Sequence, residues 1–133
     1  MKIVNRKTFL ALPENIVYSK HFEEDGFNEL QIKGETWSSD FLYEDLNDFD
    51  DHDTSEERYE KIRRMRDNEE SFPLRLDSCS RDGLFEDDQW FAIYDDIDVS
   101  KIINRLKLTL KTPDYSKKWE ERLEEKRQKP LNK

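Results

Sequence analysis

The sequence predicts an α+β fold: one domain with a mostly antiparallel sheet of about five strands, a packed amphipathic helix and a charged C-terminal helix. Three observations lead to this prediction. Several short runs have the alternating or β-rich composition of strands, and one long run repeats apolar residues every three to four positions. The 133 residues have the length of one domain, and Leu, Ile, Val and Phe make up 32 of them, which is enough for a small core.

The N-terminal elements are a short helix and a hairpin. Residues 5–12 resemble a helix that Asn5 caps and Pro13 ends. Two β-rich runs follow, NIVYSKHF (15–22) and NELQIKGETW (28–37), and the glycine between them predicts a hairpin turn. DFLYE (40–44) predicts a third strand.

The acidic stretch YEDLNDFDDHDTSEERYE begins at Tyr43 and contains the start of a second helix. Thr54 and Glu57 have the spacing of a capping box, in which a hydroxyl and a carboxylate accept hydrogen bonds from the first amides of a helix. The helix becomes basic from Lys61 to Arg66, which suits its dipole. Its apolar stripe is narrow: Tyr59, Ile62 and Met65.

The next elements are two strands and the longest helix. FPLRLDSCS (72–80) alternates as a strand does, and QWFAIY (89–94) is apolar enough for a central strand. A helix near 98–111 follows, and the spacing of its apolar residues predicts a buried face packed on the sheet. That face consists of Val99, Ile102, Ile103, Leu106 and Leu110.

The composition changes at Thr112, so we divide the chain into an α+β domain, 1–111, and a charged helical tail, 112–133. The domain carries a net charge of −11 and the tail +2. Tyr115, Trp119 and Leu123 form a thin apolar ridge on the tail helix. That ridge fits docking on the chain's own domain, a homodimer, or another partner.

Several functional classes find no support in the sequence. No apolar run has the length of a membrane span, and residues 1–13 lack the features of a signal peptide. Cys79, the lone cysteine, favours a reducing cytoplasm, and we expect it to be a half-buried side chain in a strand. The three glycines lie in no phosphate-binding turn. A net charge of −9 disfavours direct contact with nucleic acid.

The acids before Thr54 are the candidate partner-binding residues. They do not match a calcium loop, because the positions counted from Asp45 place Phe49 and Asp50 where an oxygen ligand and a glycine are needed. His52 alone makes a poor transition-metal site. A solvated acidic loop remains the alternative to a surface for a basic partner. We assign partner binding to Asp45, Asp48, Asp50, Asp51 and Asp53, with Trp119 as a possible anchor.

Four segments together carry a resemblance: MKIVNRKTFLALPENIVYSK, LQIKGETW, DFLYED and SRDGLFEDDQWFAIYDDIDVSKIINRL. Through them the chain resembles a group of small tailed-bacteriophage proteins of unknown function. The resemblance covers roughly residues 1–110, and the segment from Ser80 is its most specific part. It implies expression inside an infected bacterium, hence a cytoplasmic location in the host, and makes interference with a host system a reasonable class of function.

The function that we expect is that of a phage accessory protein that binds and modulates a bacterial protein through an acidic surface, such as a protein of a defence or nucleic-acid-handling complex. We expect no catalytic residue, no metal and no cofactor. The alternative is a small-molecule or nucleotide-signal binding protein, in which Arg81 and Trp90 hold a phosphate and a base. A metal-dependent hydrolase is the third reading.

Overall fold

The structure is a computed structural model, and it describes residues 1–22, 24, 26–49, 53–76 and 79–128. The chain divides into two compact units, Met1–Asp95 and Asp96–Lys133. The first unit is the α+β part, and the second consists of two helices. The elements, in chain order, are β1 (Lys2–Asn5), α1 (Arg6–Leu10), β2 (Ile16–Phe22), β3 (Gly26–Phe27), β4 (Gln31–Trp37), β5 (Asp40–Asp45), α2 (Ser55–Asn68), β6 (Ser80–Arg81), β7 (Trp90–Tyr94), α3 (Asp96–Leu110) and α4 (Tyr115–Gln128).

The sheet confirms the predicted antiparallel α+β fold, but the described residues form seven strands, not five. Its order is β1-β7-β2-β4-β5-β6, with β3 paired to β2, and the pairings between the named strands are antiparallel. The predicted central strand, β7, lies between β1 and β2. β1 and β3 were missed because runs of four and two residues are too short to show a period of two.

Both predicted helix caps are confirmed. The backbone N–H of Thr8 donates to Oδ1 of Asn5 at 2.9 Å, which begins α1. The N–H of Glu57 donates to Oγ1 of Thr54 at 3.1 Å, and the Glu57 carboxylate accepts from the N–H of Asp53 at 3.0 Å. These bonds satisfy amides that have no partner inside the helix.

The core of the first unit consists of four aromatic side chains that are fully buried: Phe9, Tyr18, Phe41 and Phe91. Phe9 of α1 stacks on Phe91 of β7 with ring centroids 3.9 Å apart, and the rings of Tyr18 and Phe41 meet the Phe9 ring edge-on. The five-residue helix α1 therefore covers the middle of one sheet face.

Two sequence predictions for the later elements are wrong. The described residues of the predicted strand, 72–76, 79 and 80, do not form one strand: strand structure among them is limited to a Phe49–Leu74 bridge and to the first residue of β6, and Leu74 and Leu76 are exposed. Pro73 has no N–H to donate, and an alternating pattern does not create a neighbouring strand.

The stripe on α3 is also not the buried face that was predicted. α3 is described throughout and has no buried residue, and Leu106 and Leu110 are 60% and 73% exposed. The physical reason is that helical spacing places apolar side chains on one face but does not determine what covers that face.

Candidate functional site

The predicted acidic residues occupy three different environments. Oδ1 of Asp45 accepts from Nε2 of Gln31 at 2.7 Å. Oδ1 of Asp48 lies 2.7 Å from Nη1 of Arg58, whose guanidinium is 4.9 Å from the centre of the Phe49 ring. Asp53 is exposed. The prediction for Asp50, Asp51 and also His52 falls outside the described residues.

Trp119 is exposed on α4, together with the other members of its ridge. The exposed fractions of Tyr115, Trp119 and Leu123 are 47%, 48% and 39%. These side chains therefore keep much of their apolar surface in solvent.

Arg81 and Trp90 belong to different local environments. Nε of Arg81 donates to Oδ2 of Asp40, and its guanidinium lies 5.7 Å from the Phe85 ring centre. Trp90 instead pairs with His21 across β2 and β7 and lines a cavity with it. A base and phosphate held jointly by this pair remain a prediction.

A charge cluster that is buried except for the exposed side chain of Arg81 is the largest feature that the sequence did not predict. It consists of Arg6, Lys20, Asp40, Arg81 and Asp82, which come from three strands, α1 and a turn. Nζ of Lys20 lies 2.8 Å from Oδ1 of Asp82, and Nη1 of Arg6 lies 3.5 Å from Oδ2 of the same carboxylate. The side chains of Arg6, Asp40 and Asp82 are 5%, 2% and 3% exposed, so these charges are almost completely desolvated.

The same cluster fixes the turn after β6. Backbone N–H groups of Gly83 and Leu84 donate to Asp40 at 3.0 Å and to Asp82 at 3.4 Å. Gly83 has φ +66°, a left-handed conformation that glycine adopts without steric cost. In the sequence, only Asp82 and the glycine that follows it indicated this cluster, and these two residues are typical of an ordinary turn.

Lys33 is a second buried cation. Its side chain is on β4, next to the core, and Nζ donates to Oγ1 of Thr36 at 2.7 Å and to the Gly34 carbonyl at 3.0 Å. Burial lowers its pKa, and Glu14 partly opposes that effect. The Thr36 hydroxyl in turn donates to the carbonyl of Leu10 at 2.7 Å. Through Thr36, Lys33 therefore connects the sheet to α1.

A polar cavity of about 290 Å³ lies beside the charge cluster. Its walls are Lys20, Asn28, Glu29, Gln31, Tyr43, Asp82 and Leu84. Tyr18 shares a sheet face with several of them, because it pairs with Gln31 and is two residues from Lys20. The Tyr18 hydroxyl is buried, and it has no hydrogen-bond partner among the described residues.

The electrostatics around this hydroxyl are negative. Burial raises the pKa of Tyr18 far above its ordinary value, and the charges of Asp82, Tyr43, Asp45 and Glu29 raise it further. Burial also raises the pKa of Tyr43, followed by the effects of Asp45, Asp82 and Glu29. Carboxylates near the cavity therefore disfavour the formation of a second negative charge there.

A wider cavity of about 500 Å³ surrounds Trp90. Its remaining walls are His21, Phe22, Glu24, Glu86, Asp88 and Gln89. Trp90 and Phe22 are 42% and 43% exposed, and the three acids are exposed. Carboxylates and aromatic faces are the groups that bind organic cations in proteins.

Cys79 is exposed and precedes β6, so the half-buried strand position predicted for it is wrong. Partial burial of the thiol, followed by the charges of Glu44 and Glu14, raises its pKa and disfavours the thiolate. Across the described part of the chain, no three His, Cys, Asp or Glu side chains come together as metal ligands would.

Among the helices of the described ranges, none combines the length and the apolar composition that crossing a bilayer requires. Comparison with protein-family models, with curated proteins and with solved structures found no match to this chain.

Proposed function

We propose that this chain is a phage-encoded accessory protein that binds a bacterial host protein through an acidic surface of its first unit and modulates that protein without catalysis. The proposed site of action is the cytoplasm of the infected bacterium. The target is a host protein with a basic surface, of the kind found in defence or nucleic-acid-handling complexes.

One observation carries the proposal: several cations of the first unit have internal partners or are buried, while many of its acids face solvent. Residues 1–95 contain 25 Asp and Glu but only 12 Lys and Arg, a net charge of −13. Arg6, Lys20 and Arg81 bind Asp40 and Asp82, and Lys33 is buried. The excess negative charge is therefore on the surface, where it steers a basic partner and sets its orientation.

The segment Glu86–Asp88 is the part of that surface where unpaired negative charge is most concentrated. These three acids are exposed, and none of them forms an ion pair with a residue that the structure describes. Two of them line the cavity that holds Trp90. An acidic rim around an exposed aromatic side chain is a suitable contact for Arg or Lys of a partner protein.

The structure changes which residues a binding test should alter. Asp45 and Asp48 have hydrogen-bond or ion-pair partners inside the unit, so neutralising them alters the fold as well as the surface charge. A cleaner variant combines Glu86→Gln, Asp87→Asn and Asp88→Asn. The matched control combines Glu120→Gln, Glu121→Gln and Glu125→Gln on α4, which removes the same charge from exposed positions of the second unit.

The experiment begins with native mass spectrometry of the tagged chain drawn gently from a bacterial lysate, which identifies a stoichiometric protein partner. The affinity of that purified partner is then measured for the wild type and both variants. We expect the triple change at 86–88 to weaken binding at least about tenfold and the α4 control about twofold or less. Equal affinity of all three proteins contradicts the proposal.

Trp119 receives a separate test because it lies in the second unit. If α4 supplies an apolar anchor, Trp119→Ala weakens the same complex by about tenfold or more. If α4 is a homodimer interface, the variant instead lowers the mass measured by light scattering. An unchanged affinity and an unchanged mass remove Trp119 from the proposed site.

A further inference from the structure

We propose that the 290 Å³ cavity beside the charge cluster is a binding site for a primary ammonium group, and that the buried Tyr18 hydroxyl is one of its hydrogen-bonding groups. This site is separate from the exposed acids at 86–88, and no sequence motif indicates it.

The first argument is the state of the Tyr18 hydroxyl. Tyr18 is fully buried, and its ring packs on Phe9, Phe41 and Phe91. A buried hydroxyl without a partner is uncommon, because the desolvation of its polar group is not compensated. Tyr18 is not among the residues that line the cavity, so a ligand supplies that compensation by entering beyond the wall that the structure shows.

The second argument concerns direction. Tyr18 pairs with Gln31 across the β2–β4 ladder, and Lys20 lies on the same face two residues along. Of the four groups whose charges act on the Tyr18 hydroxyl, Glu29, Tyr43 and Asp82 line the cavity. The ring of Tyr18 therefore belongs to the aromatic core, and we infer that its hydroxyl faces the floor of the cavity.

The third argument selects the charge of the ligand. The cations nearest the cavity have partners already: Lys20 lies 2.8 Å from Asp82, and Arg6 lies 3.5 Å from the same carboxylate and donates to the Ser39 carbonyl at 2.8 Å. Glu29 is exposed and forms no ion pair with the residues that the structure describes. The walls thus offer an unneutralised carboxylate, which favours a cation over a phosphate or carboxylate.

The fourth argument selects the ammonium group. An ammonium donates three hydrogen bonds and accepts none. The cavity walls provide oxygen acceptors in the hydroxyl of Tyr43, the carboxylate of Glu29 and the amide of Asn28, and the proposal adds the buried Tyr18 hydroxyl to them. Leu84, which is 57% exposed, offers an apolar surface for the alkyl chain that carries the ammonium.

The ammonium can come from a free alkylamine or from a lysine side chain. The second source rests on the proposed function, because the lysine then belongs to the protein partner. The first does not. Binding of a free amine to the isolated protein therefore tests the cavity alone, and its failure leaves the test at Glu86–Asp88 unaffected.

The experiment is an NMR titration of the full-length, isotope-labelled protein with butylamine, with 1-butanol as a neutral probe of similar size. We expect butylamine to shift the backbone amide signals of Asn28, Glu29, Gly83 and Leu84 saturably, with a dissociation constant on the order of 10 mM. We expect 1-butanol to bind at least about fivefold more weakly. Absence of saturable shifts, or equal binding of the two probes, overturns the proposal.

Two variants locate the site. Glu29→Gln removes the unneutralised carboxylate, and Tyr18→Phe removes only the hydroxyl, so each weakens butylamine binding by about threefold or more. Glu14→Gln is the matched control, because it removes the same charge from an exposed position that does not line the cavity. Unchanged binding in both test variants overturns the assignment.

A lysine-containing tripeptide and its ε-acetylated form distinguish the two sources. Tighter binding of the tripeptide than of butylamine assigns the ammonium to a protein lysine, and weaker binding assigns it to a free amine. In both cases acetylation abolishes binding, and binding of the acetylated peptide contradicts the ammonium assignment.

Discussion

Nζ of Lys20 and Oδ1 of Asp82 lie 2.8 Å apart, although 62 residues separate them in the chain. Arg6 contacts the second oxygen of the same carboxylate at 3.5 Å. One aspartate thus joins α1, β2 and the turn after β6. The Lys20–Asp82 pair also forms one wall of the proposed ammonium site.

The first prediction concerns Asp82 itself. Asp82→Asn leaves Lys20 without its carboxylate and leaves Arg6 with only the longer contact to Asp40, at 4.0 Å, in low-dielectric surroundings. We expect it to lower the free energy of unfolding by about 3 kcal/mol, measured by urea denaturation with circular dichroism. Asp87→Asn, at an exposed neighbouring position, is the control and should change it by less than about 0.5 kcal/mol. Similar values for the two variants would show that the buried pairs contribute little.

The second prediction concerns the pH dependence that Asp40 introduces. Burial by itself raises the pKa of Asp40, but hydrogen bonds from Arg81 and from the amides of Gly83 and Phe41 outweigh burial and hold the pKa below its ordinary value. Ionised Asp40 therefore contributes stability above about pH 4, the pKa of the unfolded chain, and that contribution is lost as the pH falls through the folded-state pKa.

We expect Asp40→Asn to be less stable than the wild type at pH 7, and the difference to shrink as the pH is lowered below 4. Urea denaturation of both proteins at several pH values measures it. A stability difference that stays constant with pH would contradict the role assigned to the Asp40 charge.

The third prediction concerns the close approach of β4 and β5. A Cβ added at Gly34 would lie 3.0 Å from Cβ of Leu42 and 3.2 Å from its carbonyl oxygen. We expect Gly34→Ala to cost about 2 kcal/mol, because the paired strands must separate to admit the methyl group. Gly26→Ala meets no atom within 4 Å but occupies φ +81°, so it should cost about 1 kcal/mol. Thermal unfolding of both variants compares the two losses of stability. The prediction is wrong if Gly26→Ala is the more destabilising change.

The fourth prediction concerns Tyr18 in the protein without ligand. Tyr18→Phe removes a buried hydroxyl that has no described partner and keeps the ring contacts with Phe9 and Phe91. We expect the free energy of unfolding to stay equal or to rise by up to about 2 kcal/mol.

Phe91→Leu is the contrasting core change, and it should cost about 2 kcal/mol through lost ring packing. A loss of stability in Tyr18→Phe that approaches this value would mean that the hydroxyl is satisfied in the free protein.

The candidate site was predictable only in part. The charge imbalance and the acidic run Glu86–Asp88 are visible in the sequence, and so is the turn Arg81-Asp82-Gly83. The burial of Asp40 and Asp82 as anions is not visible in the sequence. Nothing in the sequence distinguishes these two from the other acidic residues, 32 in all, because only the fold buries them next to cations. Burial, and not residue type, determines which charges have a large effect on the stability of the fold.

The sequence by itself determined the local elements: the caps at Asn5 and Thr54, the strands β2, β5 and β7, and the helical periods of α3 and α4. These follow from interactions between residues within a few positions of one another. Only the tertiary structure decided that the Tyr18 hydroxyl has no partner among the described residues, that Lys33 is buried beside the core, and that Ile103, Leu106 and Leu110 of α3 are exposed. Those outcomes depend on which segment, distant in sequence, packs on each surface. The free energy of that packing cannot be read from the pattern of neighbouring residues.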